Sequence, residues 1–416
     1  MNISNPRFPL PAEAHNTRPA SNPGGPHEVA ARRRPWWRGA VAGCLYHSGA
    51  LRILETISRG YEIAPGNGQR LPHVRRSARP RFAILCYHRI GTGGIPLFNG
   101  LPPEIFEAQM KFLRQRYRII SLDELCREME QPIGKGHAIA VTFDDGYRDL
   151  YAHALPALRK YQIPATIFLP VTSIETGQVP WYDRIFLALK VFPKDKLEIS
   201  LDRPRSFELS SLEARIEAAS VIVQYLRTLP DERRKERCAD LERQVVLPRE
   251  ELADRMLTWD QIRSMCAAGV TFGSHTMTHP VVSRLTAPQI ESELRQSKAV
   301  MEERLGTPVR HFAFPFGQLQ DCGTEALPIL ERCGYASAAT TVAGINVPGE
   351  SLFGLRRVQI GEEHSLAMFA FQLNRLLFSA ASGDSAAASS VCSPSRSQAR
   401  CDSGPAAQWR KRCGTS

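Results

Sequence analysis

The chain has 416 residues, enough for one large barrel-type domain or for two ordinary domains. Its formal net charge is +11, but residues 1–80 contribute +8, residues 379–416 contribute +3, and residues 81–378 are neutral. Enzymes that act on nucleic acids place basic groups around their sites. The neutral middle of the chain therefore argues against a nucleic-acid partner and for an uncharged or cationic substrate.

The two ends of the chain have compositions that are typical of tails. Residues 1–35 are rich in Pro, Asn and Arg, and residues 38–60 carry apolar side chains at the spacing of a short helix. We therefore predict a basic, partly disordered N-terminal tail over residues 1–80. The Ser-, Ala- and Arg-rich composition of residues 379–416 predicts a disordered C-terminal tail.

Targeting signals are weak in this sequence. The N-terminus lacks the apolar core of a secretory signal, and polar residues interrupt the stretch from Trp36 to Leu54 too often to predict a membrane span. The cysteines lie singly, without a Cys-x-x-Cys pair, which favours a reducing compartment. We predict a cytoplasmic protein or one at the periphery of the inner membrane. The basic run Arg32–Arg34 leaves a membrane or polysaccharide-assembly contact open.

From residue 81 onward, short apolar runs alternate with amphipathic stretches, a pattern typical of strand–helix units around a mainly parallel sheet. These units predict an α/β fold, a closed or deformed (β/α) barrel of about seven strands, in a domain that spans residues 81–378. The predicted strands are Phe82–Tyr87, Ala138–Phe143, Ala165–Pro170, Val270–Ser274, His311–Pro315, Ala336–Thr340 and Leu355–Ile360. The predicted helices are Pro103–Arg116, Leu122–Glu128, Ala152–Tyr161, Trp259–Ala267, Pro288–Leu305 and Thr324–Cys333.

Residues 183–255 interrupt this rhythm. They are charged and rich in helical signals, with clear pieces at Ser210–Arg227 and Asp231–Arg243, and they show no strand signal. We predict a helical insertion that caps one side of the barrel.

The segment Ala138–Tyr147 is an apolar strand that ends in two adjacent carboxylates and a glycine. Side chains alternate along a strand, so Asp144 and Asp145 can serve one site only if the chain turns there, which Gly146 permits. The carboxyl ends of the strands form the active-site face of parallel barrels. Taken alone, the motif is also compatible with an ordinary Asp-Gly turn that caps the next helix.

A second polar segment, Phe272–Pro280, also follows an apolar run. If the chain is helical there, His275 and His279 lie on one face, a spacing that suits two imidazoles on one ion. A surface pair of histidines is the alternative. Together with a carboxylate from the first segment they would give three ligands and an open position, the pattern of a catalytic zinc site.

A third segment, Val309–Gly317, places Pro315 and Phe316 at the end of another predicted strand. An aromatic ring at this rim can stack on a sugar ring, and packing in the core is equally compatible with the pattern.

These segments carry a resemblance. Thr-Phe-Asp-Asp-Gly at 142–146, His-Thr-x-x-His at 275–279 and Phe-Ala-Phe-Pro-Phe-Gly at 312–317 are similar to the first three motifs of the NodB-type polysaccharide deacetylases (carbohydrate esterase family four). The similarity covers roughly residues 80–360. Tyr-His-Arg-Ile at 87–90 and Pro-Trp-Tyr-Asp at 180–183 resemble the subgroup found with bacterial exopolysaccharide assembly. The resemblance implies a deformed barrel, a divalent metal with Zn²⁺ as the first candidate, and hydrolysis of N-acetyl groups on aminosugar polymers or oligomers.

Matching this sequence to the family's motifs position by position implies the following site residues. Asp144 is the catalytic base, and Asp145, His275 and His279 are the metal ligands. The candidates for substrate binding are Tyr147, Trp181, Pro315, Phe316 and His88.

The sequence departs from the family pattern near the base. Many members have an Arg two residues before the Pro of the third motif, where it orients the base, but this chain has Ala313. Arg356 or Arg357 is a candidate for that role. The family's Asp-x-x-Asp-Trp motif has no counterpart, because no Trp lies between Trp259 and Trp409.

The family's late Leu-x-Ile-His motif, whose His serves as general acid, is also missing, because Gly361 follows Ile360. His364 is the candidate general acid and His88 is a second candidate. A structural role is the alternative for both.

The function predicted from these residues is that of a metal-dependent polysaccharide deacetylase, a hydrolase of non-peptide carbon–nitrogen bonds that acts on an exopolysaccharide or its lipid-linked precursor. One alternative is an O-acetyl esterase or another C–N hydrolase on the same site, because an ester leaving group needs less protonation than an amine. Another is a catalytically weak glycan-binding subunit, although a binder has no need of the base Asp144.

Overall fold

A computed structural model of the protein describes residues 79–91, 100–132, 135–247 and 255–378. The predictions made for residues 1–78 and 379–416, including the short helix and the disorder of both tails, lie outside the described residues. Among the described residues, no helix has the length and apolar character needed to cross a membrane.

Seven parallel strands form a closed barrel. The strands of the described residues are β1 (Phe82–Tyr87), β2 (Ala138–Phe143), β3 (Ala165–Leu169), β4 (Lys196–Ser200), β5 (Pro204–Glu208), β6 (Thr271–Ser274), β7 (His311–Ala313), β8 (Ser337–Ala343) and β9 (Phe353–Gln359). The barrel order is β1-β2-β3-β6-β7-β8-β9, and the pairing of β1 with β9 closes it. The predicted α/β barrel of about seven strands is therefore confirmed.

Helices follow most barrel strands, as expected for strand–helix units. They are α1 (Pro103–Arg116), α2 (Leu122–Glu130), α3 (Leu155–Tyr161), α4 (Val171–Thr176), α5 (Trp181–Lys190), α6 (Leu212–Leu226), α7 (Asp231–Glu242), α8 (Trp259–Ala267), α9 (Ala287–Leu305), α10 (Leu319–Cys322), α11 (Ala326–Arg332) and α12 (Leu366–Phe378). Local sequence explains several starts: Ser121 accepts a hydrogen bond from the amide of Glu124, and Thr258 and Gln261 form a capping box.

Several predicted elements differ from the structure by a few residues at their ends. The strand predicted as His311–Pro315 stops at Ala313, because proline has no amide hydrogen for the ladder and Phe316 adopts a φ of 59°. The helix predicted as Ala152–Tyr161 starts earlier, with a π-helical turn over Leu150–Ala154 ahead of α3.

The prediction that residues 183–255 contain no strand is wrong. Strands β4 and β5 form an antiparallel hairpin that is separate from the barrel. Its signal is a short period-two alternation in which Leu197 is buried between exposed charged neighbours. Such a run is brief enough to be read as part of a charged helical segment. The residue ranges of helices α6 and α7 agree to within two residues with the two helical pieces predicted for this region.

A cluster of buried side chains fills part of the barrel interior. Large residues such as Phe82 and Phe168 pack in one cluster with small ones such as Ala140, Ala313 and Ala339, and helix α2 joins the same cluster. Small residues facing large ones let a narrow barrel fill without voids. The polar motifs follow the carboxyl ends of the strands, which share one rim of the barrel.

Candidate active site

The Asp-Asp-Gly motif forms a tight turn at the end of β2. The amide of Asp144 still donates to Tyr87 of β1 at 2.9 Å, which extends the strand pairing by one residue. Asp145 and Gly146 then adopt φ values of 70° and 69°. A Cβ at Gly146 would lie 2.6 Å from the side chain of Leu169, so glycine is required both for conformation and for space. The turn that the sequence predicted lets both carboxylates serve one site.

Asp145, His275 and His279 come together although more than 120 residues separate the first from the others. Oδ1 of Asp145 lies 3.6 Å from Nε2 of His275 and 3.3 Å from Nε2 of His279. The three residues are buried, and each offers a ligand atom within 4.8 Å of the other two. One carboxylate and two imidazoles in this arrangement can share a single cation.

The segment that carries the two histidines is a loop and not a helix. The i, i+4 spacing of a helix therefore does not explain why the two imidazoles lie together. Thr276 and His279 both adopt left-handed φ values, 70° and 55°. Such conformations cost on the order of 1–3 kcal/mol each in residues other than glycine and persist only where the surroundings hold them. The Thr276 hydroxyl accepts from the His279 amide at 3.0 Å and donates to the carbonyl of His275.

The environment of His275 fixes its ring in a ligating form. Nδ1 lies 2.7 Å from the carbonyl oxygen of Ala313, which only a protonated Nδ1 can satisfy, so the lone pair of Nε2 faces Asp145. Burial lowers the pKa of His275 to about 4, even though Asp144 opposes that shift. The imidazole is therefore neutral near pH 7, as a metal ligand must be.

Asp144 is held by Arg357. The two terminal nitrogens of Arg357 each donate to one carboxylate oxygen at 2.7 Å, and its Nε donates to the carbonyl of Thr340. Burial by itself would raise the pKa of Asp144, but the guanidinium outweighs it and holds that pKa well below its usual value. Asp144 is therefore an ionised, oriented carboxylate.

Two further groups lie beside Asp144. The thiol of Cys86 donates to Oδ2 at 3.5 Å, and Nε2 of His88 lies 3.9 Å from the same oxygen. These three residues also have the composition of a metal site. We assign no cation to them, because Asp144 is already occupied by Arg357 and because burial raises the pKa of Cys86 well above its usual value. His88 differs from Cys86 in that 29% of its side chain is exposed.

Aromatic rings border the His279 side of the site. The rings of Tyr182 and Phe316 lie 5.0 and 5.1 Å from the ring of His279, and Trp181 donates from Nε1 to the carbonyl of His279 at 3.0 Å. The guanidinium of Arg227, just beyond the end of α6, lies 4.2 Å from the centre of the Phe316 ring. This side of the site thus combines Phe316 of the third motif with Arg227 of the segment predicted as an insertion.

A comparison with known protein families identifies the central part of the chain. Residues 132–338 match the family model described as polysaccharide deacetylase. The chain contains a polysaccharide deacetylase domain. It is therefore a hydrolase that acts on carbon–nitrogen amide bonds, and the resemblance drawn from its motifs is confirmed.

Individual relatives of this polysaccharide deacetylase are distant. The YxkH protein of Bacillus subtilis is 23% identical over 302 residues, which cover 71% of this chain and 77% of YxkH. The deacetylase PplD of Streptococcus pyogenes, solved in complex with acetate, is 20% identical, with a TM-score of 0.48 over 72% of this chain and 99% of PplD. IcaB from Ammonifex degensii is 21% identical, with a TM-score of 0.48 over 72% of this chain and 98% of IcaB.

The other predicted site residues of the deacetylase differ in their burial and in their contacts. Tyr147 is buried, and its hydroxyl donates to Asp183 at 2.5 Å, while burial raises the pKa of that carboxyl to about 7. Pro315 is buried and Phe316 is partly exposed at the rim. The substrate-binding roles of these residues and of Trp181 stay predictions.

His364 lies away from the metal-ligand group. Its Nδ1 accepts from the amide of Gly361 at 3.1 Å, and its Nε2 lies 2.9 Å from Oε1 of Gln372 on α12. Its carbonyl accepts from Gln109 on α1. All of these partners belong to the outer helices or to the end of β9, so the structure does not bring His364 to Asp144.

Sequence reasoning missed some residues of the site and left one choice open. It offered Arg356 or Arg357 beside Asp144, and the structure selects Arg357, whereas Arg356 pairs with Glu350. Successive side chains of a strand point to opposite faces, so the register of β9 decides between them. Tyr182 was overlooked, although it adjoins Trp181 in a segment that had been singled out.

Proposed function

We propose that this polysaccharide deacetylase is metal-dependent and removes N-acetyl groups from an aminosugar-containing glycan. The observation that carries the proposal is the convergence of Asp145, His275 and His279 at the carboxyl ends of the barrel strands, with the ionised carboxylate of Asp144 beside them. The two carboxylates have different surroundings, because Arg357 forms hydrogen bonds with Asp144 and not with Asp145.

The donor set fits a divalent cation, and Zn²⁺ in particular. Two imidazoles and one carboxylate are the ligands of many catalytic zinc sites, which keep one position open. When bound, the cation would polarise the acetyl carbonyl and lower the pKa of a water molecule. Asp145, His275 and His279 would hold it.

Asp144 is proposed as the general base. It is oriented by two hydrogen bonds from Arg357 and carries its negative charge in a buried site, so a proton from the attacking water can be accepted without rearrangement. The fork of Arg357 takes the place of the arginine that is missing at Ala313.

His88 is proposed as the proton donor to the leaving amine. It lies at the same site as Asp144 and reaches solvent, whereas His364 is enclosed by α1, α12 and the end of β9. A donor at this step must be near the scissile bond and must be able to regain a proton from water.

The substrate is proposed to be an N-acetylated exopolysaccharide or its lipid-linked precursor. The segments at 87–90 and 180–183 resemble the exopolysaccharide-associated subgroup, and both contribute residues to the site: His88 beside Asp144, and Trp181 and Tyr182 beside His279. The neutral charge of residues 81–378 suits a glycan without dense negative charge.

The test is acetate release from N-acetylglucosamine oligomers by purified protein. We expect release that a chelator abolishes, that zinc restores, and that Asp144→Asn reduces by at least about 100-fold. A matched assay with O-acetylated glycans separates the esterase alternative. Release from O-acetyl substrates alone, or no release from any acetylated glycan by zinc-loaded protein, would contradict the proposal.

A further inference from the structure

The loop that joins the two histidine ligands is bound by a carboxylate from outside the site. Glu293, on α9, accepts from the amides of Met277 and Thr278 at 2.8 and 3.0 Å through Oε2, and from the hydroxyl of Thr278 at 2.7 Å through Oε1. All three donors lie between His275 and His279. None of them belongs to a helix or a strand that could satisfy it locally.

The backbone carbonyl groups of the same loop are bound by α4. The amides of Val171 and Thr172 donate to the carbonyls of Thr276 and Met277 at 3.1 and 2.8 Å. The loop backbone is thus held from two sides, with its carbonyls on α4 and its amides on Glu293. Thr276 and His279 adopt left-handed conformations within this clamp, and these conformations determine where the two rings point.

We propose that Glu293 is a positioning residue for the metal site: by holding residues 277 and 278 it sets the geometry of His275 and His279 and so the affinity for the cation. The inference rests on the proposed metal dependence. Glu293 contacts neither a ligand side chain nor the reacting atoms, so it acts only through the loop.

A carboxylate is specifically suited to this role. Both of its oxygens accept, and Glu293 uses them for three donors. A glutamine of the same shape offers one accepting oxygen, and its NH₂ group can bond only to the Thr278 hydroxyl, which would then accept instead of donate. Glu293→Gln therefore replaces the charge-assisted hydrogen bonds to the two amides with weaker neutral ones and reverses the bond to the hydroxyl, with almost no change in volume.

The helix provides a matched control. Glu302, also on α9, accepts from the amide of Val309 at 2.9 Å and pairs with Lys298, far from the metal loop. Glu302→Gln therefore perturbs the same kind of contact on the same helix without touching residues 275–279.

The experiment is a competition titration of metal-free protein with Zn²⁺ against a chromogenic chelator. We expect Glu293→Gln to raise the Kd for zinc about 10- to 100-fold, the range typical of residues that support a ligand, and Glu302→Gln to leave it unchanged. Thermal unfolding of the metal-free proteins controls for general destabilisation. Thr278→Val, which removes only the hydroxyl bond, should weaken zinc binding less and serves if Glu293→Gln does not fold.

The outcomes separate this inference from the proposed function. If wild-type protein binds zinc and both Glu293→Gln and Thr278→Val bind it equally tightly, the positioning role is wrong while metal dependence stands. An equal loss in Glu302→Gln also overturns it, because the effect is then one of helix stability. If wild-type protein binds no divalent metal, the proposed function itself fails.

Discussion

Arg357 and Asp144 form a two-pronged ion pair beside the metal-ligand group, with both side chains almost completely buried. The pair joins β9 to the turn after β2, two elements that do not neighbour each other in the barrel order. Its planar geometry orients the carboxylate, and its charge keeps the carboxylate ionised.

Replacing Arg357 should damage both activity and stability. Removing one partner of a buried ion pair leaves an uncompensated charge and costs about 3–5 kcal/mol of unfolding free energy. We expect Arg357→Met to lower stability by that amount and kcat by at least about 100-fold. Arg357→Lys should regain part of the stability and little of the activity, because lysine cannot form the fork.

The double variant Arg357→Met with Asp144→Asn supplies the control. If the pair acts as described, the double variant is more stable than Arg357→Met alone, because no unpaired carboxylate remains, and it is still inactive. Additive losses of stability in a urea-unfolding cycle would show that the two residues are not coupled.

Metal-free protein should lose stability as the pH falls from about 6.5 towards 4. Burial lowers the pKa of His275 from 6.5 to about 4, so between these values the unfolded chain binds a proton that the folded chain does not. Stability therefore rises with pH across this window, by on the order of 3 kcal/mol for this group.

Urea unfolding of metal-free wild-type protein and of His275→Asn at several pH values between 4 and 7.5 measures this effect. The variant should show a shallower dependence on pH than the wild type. Two parallel curves would mean that His275 is not held neutral by burial.

The two candidate proton donors can be distinguished by whether the loss of activity on replacing each of them depends on the leaving group of the substrate. We expect His88→Gln to lower kcat about 10- to 1000-fold on N-acetyl substrates and much less on O-acetyl esters, because an alkoxide leaves with less help than an amine. His364→Gln should lower unfolding stability, since it alters a buried hydrogen-bonded ring, and should leave that ratio of activities unchanged. The reverse pattern would assign the acid to His364.

The barrel and the convergence of Asp145, His275 and His279 could be predicted from the sequence because both depend on local signals. Apolar runs ending in Asp-Asp-Gly and in His-x-x-x-His mark strand ends, and parallel strands bring their carboxyl ends to one rim. The hairpin of β4 and β5 was not predicted, because five-residue strands in a charged segment leave little periodicity to detect.

Other features of the site could not be predicted from local patterns. The choice of Arg357 over Arg356 depends on the register of β9, and the contact of Glu293 with Thr278 depends on how α9 packs against a loop. The left-handed φ of His279 is a tertiary effect too, because the intrinsic preference of histidine is against it.

The most direct test of the account is to measure bound metal and acetate release together in four purified proteins. Wild type should bind one divalent ion per chain and release acetate from N-acetylglucosamine oligomers. Asp144→Asn should retain the ion and lose the release, whereas Asp145→Asn and His279→Ala should lose both. The account would be contradicted if Asp145→Asn kept the full metal content, or if Asp144→Asn remained fully active.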